Sequence, residues 1–362
     1  MKKILILYTS IGLGHKSIAE NIGFYLTRDG YEVSLYDAHK VQGGFLADWG
    51  KKLYLVLIKN LPFIWNWLYT TKWFINLTLP YRIKVASHNY KNVLVKINEI
   101  KPNVVISTHN TASAIVSYLK QEGLYKGFFG IAFSDYHLHK FWLFESSDFY
   151  LANTQDQKDE MISLDTSSNK IFVCGITLKP KQAISNQQSA IRAVLHIPTE
   201  NKVILFSSGS QGIGLDKTLL TSLSKLERAT VIVACGKDER LVDELKNDFP
   251  ASNILPLGYY SSMDELYSIS DLYVSKPGGL SIAEALQWKI PVLIFYILPG
   301  GEVFNYQYLL ERRLIMPKTD DLLSSILEEL KTSTFKRSLA INSELFKLIP
   351  ADPKVSEVIK SL

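Results

Sequence analysis

Lys3-Ile4-Leu5-Ile6-Leu7-Tyr8-Thr9-Ser10-Ile11-Gly12-Leu13-Gly14-His15 opens the chain on a short, unbroken apolar run that ends in a glycine loop. Beyond it, residues 16–28 carry apolar side chains at helical spacing (Ile18, Ala19, Ile22, Tyr25, Leu26). Gly30 then stops the helix, and residues 31–36 read as a second strand. An apolar run without polar alternation suits a strand covered on both faces, as in parallel sheets. The rhythm continues with strand candidates at 103–107, 128–133, 148–152 and 171–174, then at 203–207, 229–234, 272–274 and 291–295. Helical patterns follow most of them. Alternation on this scale predicts an α/β protein built from doubly wound parallel sheets.

The length of 362 residues allows two such domains, at roughly 100–200 residues each. A polar break near 175–199, with Lys179-Pro180-Lys181 and Ser185-Asn186-Gln187-Gln188-Ser189, divides the chain into 1–178 and 179–350. Residues 351–362 read as a helix returning to the first domain. With 40 Lys+Arg against 35 Asp+Glu the net charge is +5, too balanced for a protein that wraps nucleic acid. A hydrophobic content of 47% with so little net charge excludes disorder. Cys174 and Cys235 are isolated, so neither a disulfide framework nor a thiolate metal cage is expected, and reducing cytoplasm is the expected compartment. Met1-Lys2-Lys3 precedes too short an apolar run for a signal peptide. No uncharged apolar stretch reaches the length of about 18 residues that a membrane span needs. A soluble or peripheral protein is expected.

Averages hide one concentration. Residues 45–90 hold eleven aromatics, including Trp49, Trp65, Trp67 and Trp73, four of the six tryptophans. The same window has six Lys/Arg (Lys51, Lys52, Lys59, Lys72, Arg82, Lys84) against one acid, Asp48, a local excess equal to the whole chain's net charge. Tryptophan and basic side chains favour the lipid headgroup level and anionic lipid, which makes this a candidate membrane-interface insertion. The alternative is a helical insertion that packs its aromatics into the domain core.

Ligands of open α/β sheets bind beyond the carboxyl ends of the strands, so the strand-to-helix loops are where chemistry is sought. Gly12-Leu13-Gly14-His15 is not the dinucleotide fingerprint, because Ser17 stands where the third glycine belongs. Its glycines permit close approach of a ligand, and His15 is either a general base in the cleft or a helix cap. Ser207-Ser208-Gly209-Ser210-Gln211-Gly212-Ile213-Gly214 lacks the Gly-Lys-Ser/Thr of a Walker loop and is either a phosphate cradle or a turn. Ser275-Lys276-Pro277-Gly278-Gly279-Leu280-Ser281 before a helix offers backbone N–H groups to an anion. Glu284, one turn on, either accepts hydrogen bonds from a ribose or complements the helix dipole. Gly300-Gly301-Glu302-Val303-Phe304-Asn305 presents two polar groups at another helix start. In the first half, Ser107-Thr108-His109 and Ser134-Asp135-Tyr136-His137-Leu138-His139 end strands. His137 and His139 suggest a metal less than a polar cleft. The chain has no Asp-x-Asp, which counts against a nucleotide held through a divalent ion.

Together these loops resemble the monogalactosyldiacylglycerol synthase / processive diacylglycerol glucosyltransferase family. The motifs run in order from Gly12-Leu13-Gly14-His15 through Ser107-Thr108-His109, Asp135-Tyr136-His137 with Trp142, Gly209-Ser210-Gln211-Gly212 and Lys276-Pro277-Gly278-Gly279 with Glu284, to Pro299-Gly300-x-Glu302-x-x-Asn305. The resemblance implies a GT-B architecture, two Rossmann-like domains facing a central cleft. The second would bind a UDP-sugar and the first a lipid acceptor, diacylglycerol or another. It implies His15 as catalytic base, with Asp135 as rival or assistant. Gly14, His109, Tyr136, His137, Ser208, Ser210, Gln211, Gly278, Gly279, Leu280 and Ser281 would line the substrates. Glu284 would hold the ribose, and Glu302 and Asn305 the sugar hydroxyls. One departure is Gly300-Gly301-Glu302 where the family commonly has Gly-Gln-Glu, so the donor sugar stays open between glucose and galactose.

The expected enzyme is an inverting UDP-sugar hexosyltransferase making a β-glycosyl glycolipid. It would need no cofactor and no essential metal, and no nucleic-acid partner. It would sit peripherally on an anionic membrane, at the inner face of the cell membrane. Two alternatives stand beside it, a UDP-N-acetylglucosamine transferase acting on a polyprenyl-linked or other lipid, and a non-catalytic UDP-sugar sensor.

Overall fold

The structure, a computed structural model, describes residues 1–10, 13–38, 61, 67, 71, 83–84, 86–181, 187–207, 215 and 217–362. These form two compact units, one made of Met1–Lys179, Leu298–Phe304 and Lys347–Leu362, the other of Pro180–Ile297 and Asn305–Phe346.

In the first unit β1 (Lys3–Tyr8), β2 (Glu32–Asp37), β3 (Val104–Ser107), β4 (Phe128–Ala132), β5 (Phe149–Ala152) and β6 (Ile171–Val173) form one sheet in the order β2-β1-β3-β4-β5-β6. Every pairing in it is parallel. Ile4, Leu5, Ile6 and Leu7 are fully buried, as a central strand covered on both faces requires. The order reverses direction between β1 and β3, so the loops after these two strands meet at the topological switch point.

The helix after β1 spans Leu13–Arg28 and begins earlier than the apolar spacing predicts. That spacing marks the buried face, which starts at Ile18, and not the hydrogen-bonded start. Gly14 and His15 therefore lie in the first helical turn. At the other end Gly30 takes φ +87°, with Tyr31 N donating to Leu26 O (3.0 Å) and Gly30 N to Thr27 O (3.1 Å), the double bond of a left-handed helix cap.

The second unit holds β7 (Lys202–Ser207), β8 (Ala229–Ala234), β9 (Ile254–Leu257), β10 (Leu272–Ser275) and β11 (Val292–Ile294), again all parallel, in the order β11-β10-β7-β8-β9. Its switch point lies between β7 and β10, where Ser275 Oγ donates to Ser207 O (3.1 Å). Among the described residues β9 is the strand the sequence reading lacks. It holds Pro256 at a sheet edge, the one place a parallel ladder tolerates proline.

The last helix, Val355–Ser361, packs on Leu13–Arg28 with Val355, Val358 and Ile359 buried. Arg28 pairs with Asp352 (3.0 Å), Lys2 Nζ donates to Ile359 O (3.2 Å), and Ile176 N donates to Leu348 O (2.8 Å). The segment leading to this helix lies against Gly175, whose φ is +70° and whose absent Cβ would sit 2.3 Å from Pro350 Cδ. Gly175→Ala is therefore expected to destabilise the protein by about 1–3 kcal/mol through left-handed strain and the clash. Urea unfolding measures this, and wild-type stability in the variant would mean that the tail does not lie on Gly175.

Candidate active site

The site in the first unit is built where β1 and β3 end. Thr108 N donates to Leu7 O (2.9 Å) and Thr108 Oγ1 to His15 O (2.9 Å), so the turn after β3 holds the start of the first helix. His109 caps the helix Asn110–Gln121, its Nδ1 accepting from Thr111 N (3.2 Å). When that imidazole is neutral, its proton must then be on Nε2. The His15 ring meets the His109 ring edge-on at 4.7 Å, and Trp142 lies 5.9 Å from His15 and 6.3 Å from His109. Phe133 backs Trp142 at 5.7 Å. His15 thus stands in an aromatic box.

The box sets its electrostatics. Burial pulls the His15 pKa below its usual 6.5, and the charge of Asp135 opposes that pull. The imidazole is then neutral at pH 7. Its Nδ1 is buried and has no hydrogen-bond partner among the described residues. A buried ring nitrogen without a partner costs on the order of 1–3 kcal/mol. A helix cap would have its nitrogen occupied, so His15 does not cap the helix through Nδ1.

Other first-unit residues divide. A Cβ on Gly14 would meet nothing within 4 Å, so packing does not impose that glycine. His137 lies 5.0 Å from Phe304. His139 is buried, caps Lys140–Trp142 through Nδ1, and stacks on Phe141 at 4.3 Å, so the two histidines have separate environments. Tyr136 is fully buried, and Thr154 Oγ1 donates to its carbonyl (2.9 Å). Asp37, at the end of β2 where a dinucleotide fold keeps its ribose acid, accepts from Ser10 N (3.2 Å) and Ser10 Oγ (2.6 Å). No group of three or more His, Cys, Asp or Glu among the described residues could hold a metal ion.

In the second unit the turn after β10 runs into the helix Gly279–Gln287. Gly278 is its N-cap, extended and without a side-chain cap bond. The first-turn N–H groups, with the positive end of the helix dipole behind them, are suited to an anion. Asn305 Nδ2 donates to Pro277 O (3.1 Å) and the side chain is 1% exposed. Through this bond its amide steadies the anion turn from within the unit. Glu302, in the segment Leu298–Phe304 of the first unit, accepts through Oε2 from Leu298 N (2.8 Å) across a turn whose Gly300 has φ +98°. Glu284 Oε2 accepts a hydrogen bond from the Tyr267 hydroxyl (3.4 Å), and burial, with Asp264 nearby, pushes its pKa up to about 7. Trp288 Nε1 donates to Asp264 (2.9 Å) on the other side.

Ser208, Ser210 and Gln211 lie outside the described residues, as do Trp49, Lys51, Lys52, Trp65 and Trp73. Trp67 is described and is 58% exposed. Among the described residues no helix is long and apolar enough to cross a membrane. The sequence reading missed Asn153 and Gln157, which hold the Asp135 loop. The signal was there in Thr154-Gln155-Asp156-Gln157, a capping box at the start of a helix.

Two all-parallel, doubly wound sheets with sites at their switch points define the GT-B class. Solved structures of that fold match along the chain: the Staphylococcus aureus MnaA–UDP co-structure at TM-score 0.66 (14% identity, 99% of this chain and 95% of that one), and Acinetobacter baumannii MurG at 0.59 (15% identity, 100% and 98%). Residues 15–178 match the family model of monogalactosyldiacylglycerol (MGDG) synthase, and residues 203–330 that of the glycosyltransferase family 28 C-terminal domain. Among curated relatives, the processive diacylglycerol beta-glucosyltransferase of Bacillus pumilus is 25% identical over 378 residues, covering 99% of this chain and 94% of that protein. The Bacillus cytotoxicus protein of the same name is 28% identical over 314 residues, covering 84% and 79%. The chain belongs to the monogalactosyldiacylglycerol synthase / diacylglycerol glucosyltransferase family.

Proposed function

We propose that this protein is an inverting glycosyltransferase that moves a hexose, glucose or galactose, from a UDP-sugar to diacylglycerol. The product would be a β-glycosyl lipid made at the inner face of the cell membrane. The observation that carries this reading is a histidine held against His109 and Trp142 at the switch point of the first sheet, where burial lowers its pKa. The names of its relatives support diacylglycerol as acceptor. The same fold carries UDP in MnaA and UDP-glucose in the Anabaena Alr3699/HepE complex (TM-score 0.60, 14% identity, 100% of both chains), which supports a UDP donor.

In this mechanism His15 takes the proton of the acceptor hydroxyl as its oxygen attacks the anomeric carbon. The bond to UDP breaks on the opposite face, and an α-linked donor becomes a β-glycoside. The charge growing on the departing diphosphate is met by the N–H groups of Gly279, Leu280 and Ser281. Glu284 accepts from the ribose hydroxyls, and Glu302 helps hold the sugar. Incubating the protein with UDP-glucose, UDP-galactose or UDP-N-acetylglucosamine and diacylglycerol in mixed micelles tests the reading, with products identified by mass and NMR. A β-hexosyl diacylglycerol is the expected product. Transfer of N-acetylglucosamine alone, or UDP-sugar binding without transfer, would replace it.

The exposed Trp67 supports contact with lipid headgroups. Trp67→Ala is expected to weaken binding to vesicles containing anionic lipid about threefold to tenfold, as loss of one interfacial aromatic implies. Unaltered co-sedimentation would remove Trp67 from the membrane surface.

A further inference from the structure

The loop between β4 and β5 carries Asp135, and its backbone is held by side chains that follow β5. Asn153 Nδ2 donates to Phe133 O and to Asp135 O (3.0 Å each). Gln157 Nε2 donates to Asp135 O (2.8 Å) and to His137 O (2.7 Å). Thr154 Oγ1 takes the carbonyl between them, that of Tyr136 (2.9 Å). Asn153, Thr154 and Gln157 are all buried, so water does not compete for these bonds.

Part of this is ordinary helix capping. Thr154 accepts from Gln157 N (3.1 Å), and Gln157 Oε1 accepts from Asn153 N (2.7 Å), which also fixes which end of the amide is nitrogen. A capping box needs only an acceptor at this position, and glutamate supplies one as well as glutamine. The amide nitrogen is surplus to the helix. Both of its bonds go to carbonyls that follow the Asp135 side chain along the chain, its own and that of His137.

We propose that Gln157, with Asn153, is a positioning residue for glycosyl transfer, fixing the Asp135-Tyr136-His137 backbone so that the Asp135 carboxylate faces His15. This rests on the reading of His15 as base with Asp135 beside it. Asp135 assists only where its charge bears on the imidazole. A backbone held at three carbonyls in a row fixes the Cα–Cβ direction from which that carboxylate reaches.

Gln157→Glu separates this part from the structural one, because it keeps the acceptor for Asn153 N and loses both donor bonds. UDP release is measured with diacylglycerol micelles and whichever UDP-sugar the protein turns over. The expected result is a fall in kcat of about 10–100-fold, the usual cost of a small misplacement near the reacting groups. The donor KM stays within about twofold, because the donor contacts are untouched. The acid limb of the kcat profile moves to lower pH, in the same direction as in Asp135→Asn. Adding Gln157→Glu to Asp135→Asn costs nothing further, since both act through one carboxylate.

Wild-type kcat in Gln157→Glu with an impaired Asp135→Asn would overturn the proposal alone. So would losses that multiply in the double variant, or a fall in melting temperature with kcat and pH profile unmoved. Full activity of Asp135→Asn would overturn the assistance reading and the proposal together. Should the buried carboxylate keep Gln157→Glu from folding, Asn153→Ala removes the other two amide bonds without adding charge. It must show the same kcat-against-KM split or the proposal fails.

Discussion

His15→Ala is expected to lower turnover by about 10²–10⁴-fold at saturating acceptor, the span that general-base help covers. Donor KM should stay within about threefold, because the ring contacts His109 and Trp142 in the first unit. The pH dependence follows from burial. A lowered His15 pKa means that wild-type kcat holds its plateau below pH 6.5 and falls only as the buried imidazole takes its proton. Removing the Asp135 charge should move that fall to still lower pH and reduce the plateau, since a weaker base abstracts less readily. Stability carries the same sign. The unfolded chain protonates His15 first, so stability drops as pH falls from 6.5 towards the lowered pKa, and His15→Ala removes that part of the drop. Turnover of His15→Ala near the wild-type value would pass the role of base to Asp135.

What the sequence shows and what it conceals follow from the range of the interactions. The strand β1 and the helix after it are legible because continuous apolar runs and helical spacing are local consequences of burial. The strand β9 is not, since Pro256 argues against a strand unless the residue is known to lie at an edge. Its neighbours are fixed by the sheet and not by the run Ile254–Leu257 itself. The site has the same limit. The motifs mark His15, His109 and Trp142 singly, but their meeting depends on β1 and β3 being adjacent. Asn305 reads as a ligand contact from its motif, and only the fold adds that its amide donates to Pro277 O. The capping box at Thr154 and Gln157 is written in the sequence. The carbonyls that the spare amide reaches lie in the loop after β4, the strand that pairs with β5 in space.

Glu284→Gln should weaken donor binding and strengthen the empty protein. The carboxyl is buried near Asp264 with a pKa of about 7 against an ordinary 4.5, so the folded state retains a proton that the unfolded chain has already lost. Stability therefore falls as pH rises from 4.5 to 7, and above 7 the full penalty, about 3 kcal/mol, is present. Glutamine has no charge to bury, so the variant should gain up to that amount in urea unfolding at pH 8 and nothing at pH 4.5. Function runs the other way. A carboxylate accepting from two ribose hydroxyls contributes about 1.5–3 kcal/mol per charged hydrogen bond. Losing that acceptor raises donor KM about 10–100-fold with kcat little changed, because the contact is made equally in ground and transition states. Wild-type donor KM should itself fall as pH rises through about 7, since the ionised form is the one that accepts from the ribose. A residue kept at a cost in stability, and recovered as affinity, is the signature of a binding group. If Glu284→Gln is stabilised at pH 8 yet keeps its donor KM, the acid serves the helix alone, and the ribose must be sought elsewhere on the carboxyl edge of the second sheet.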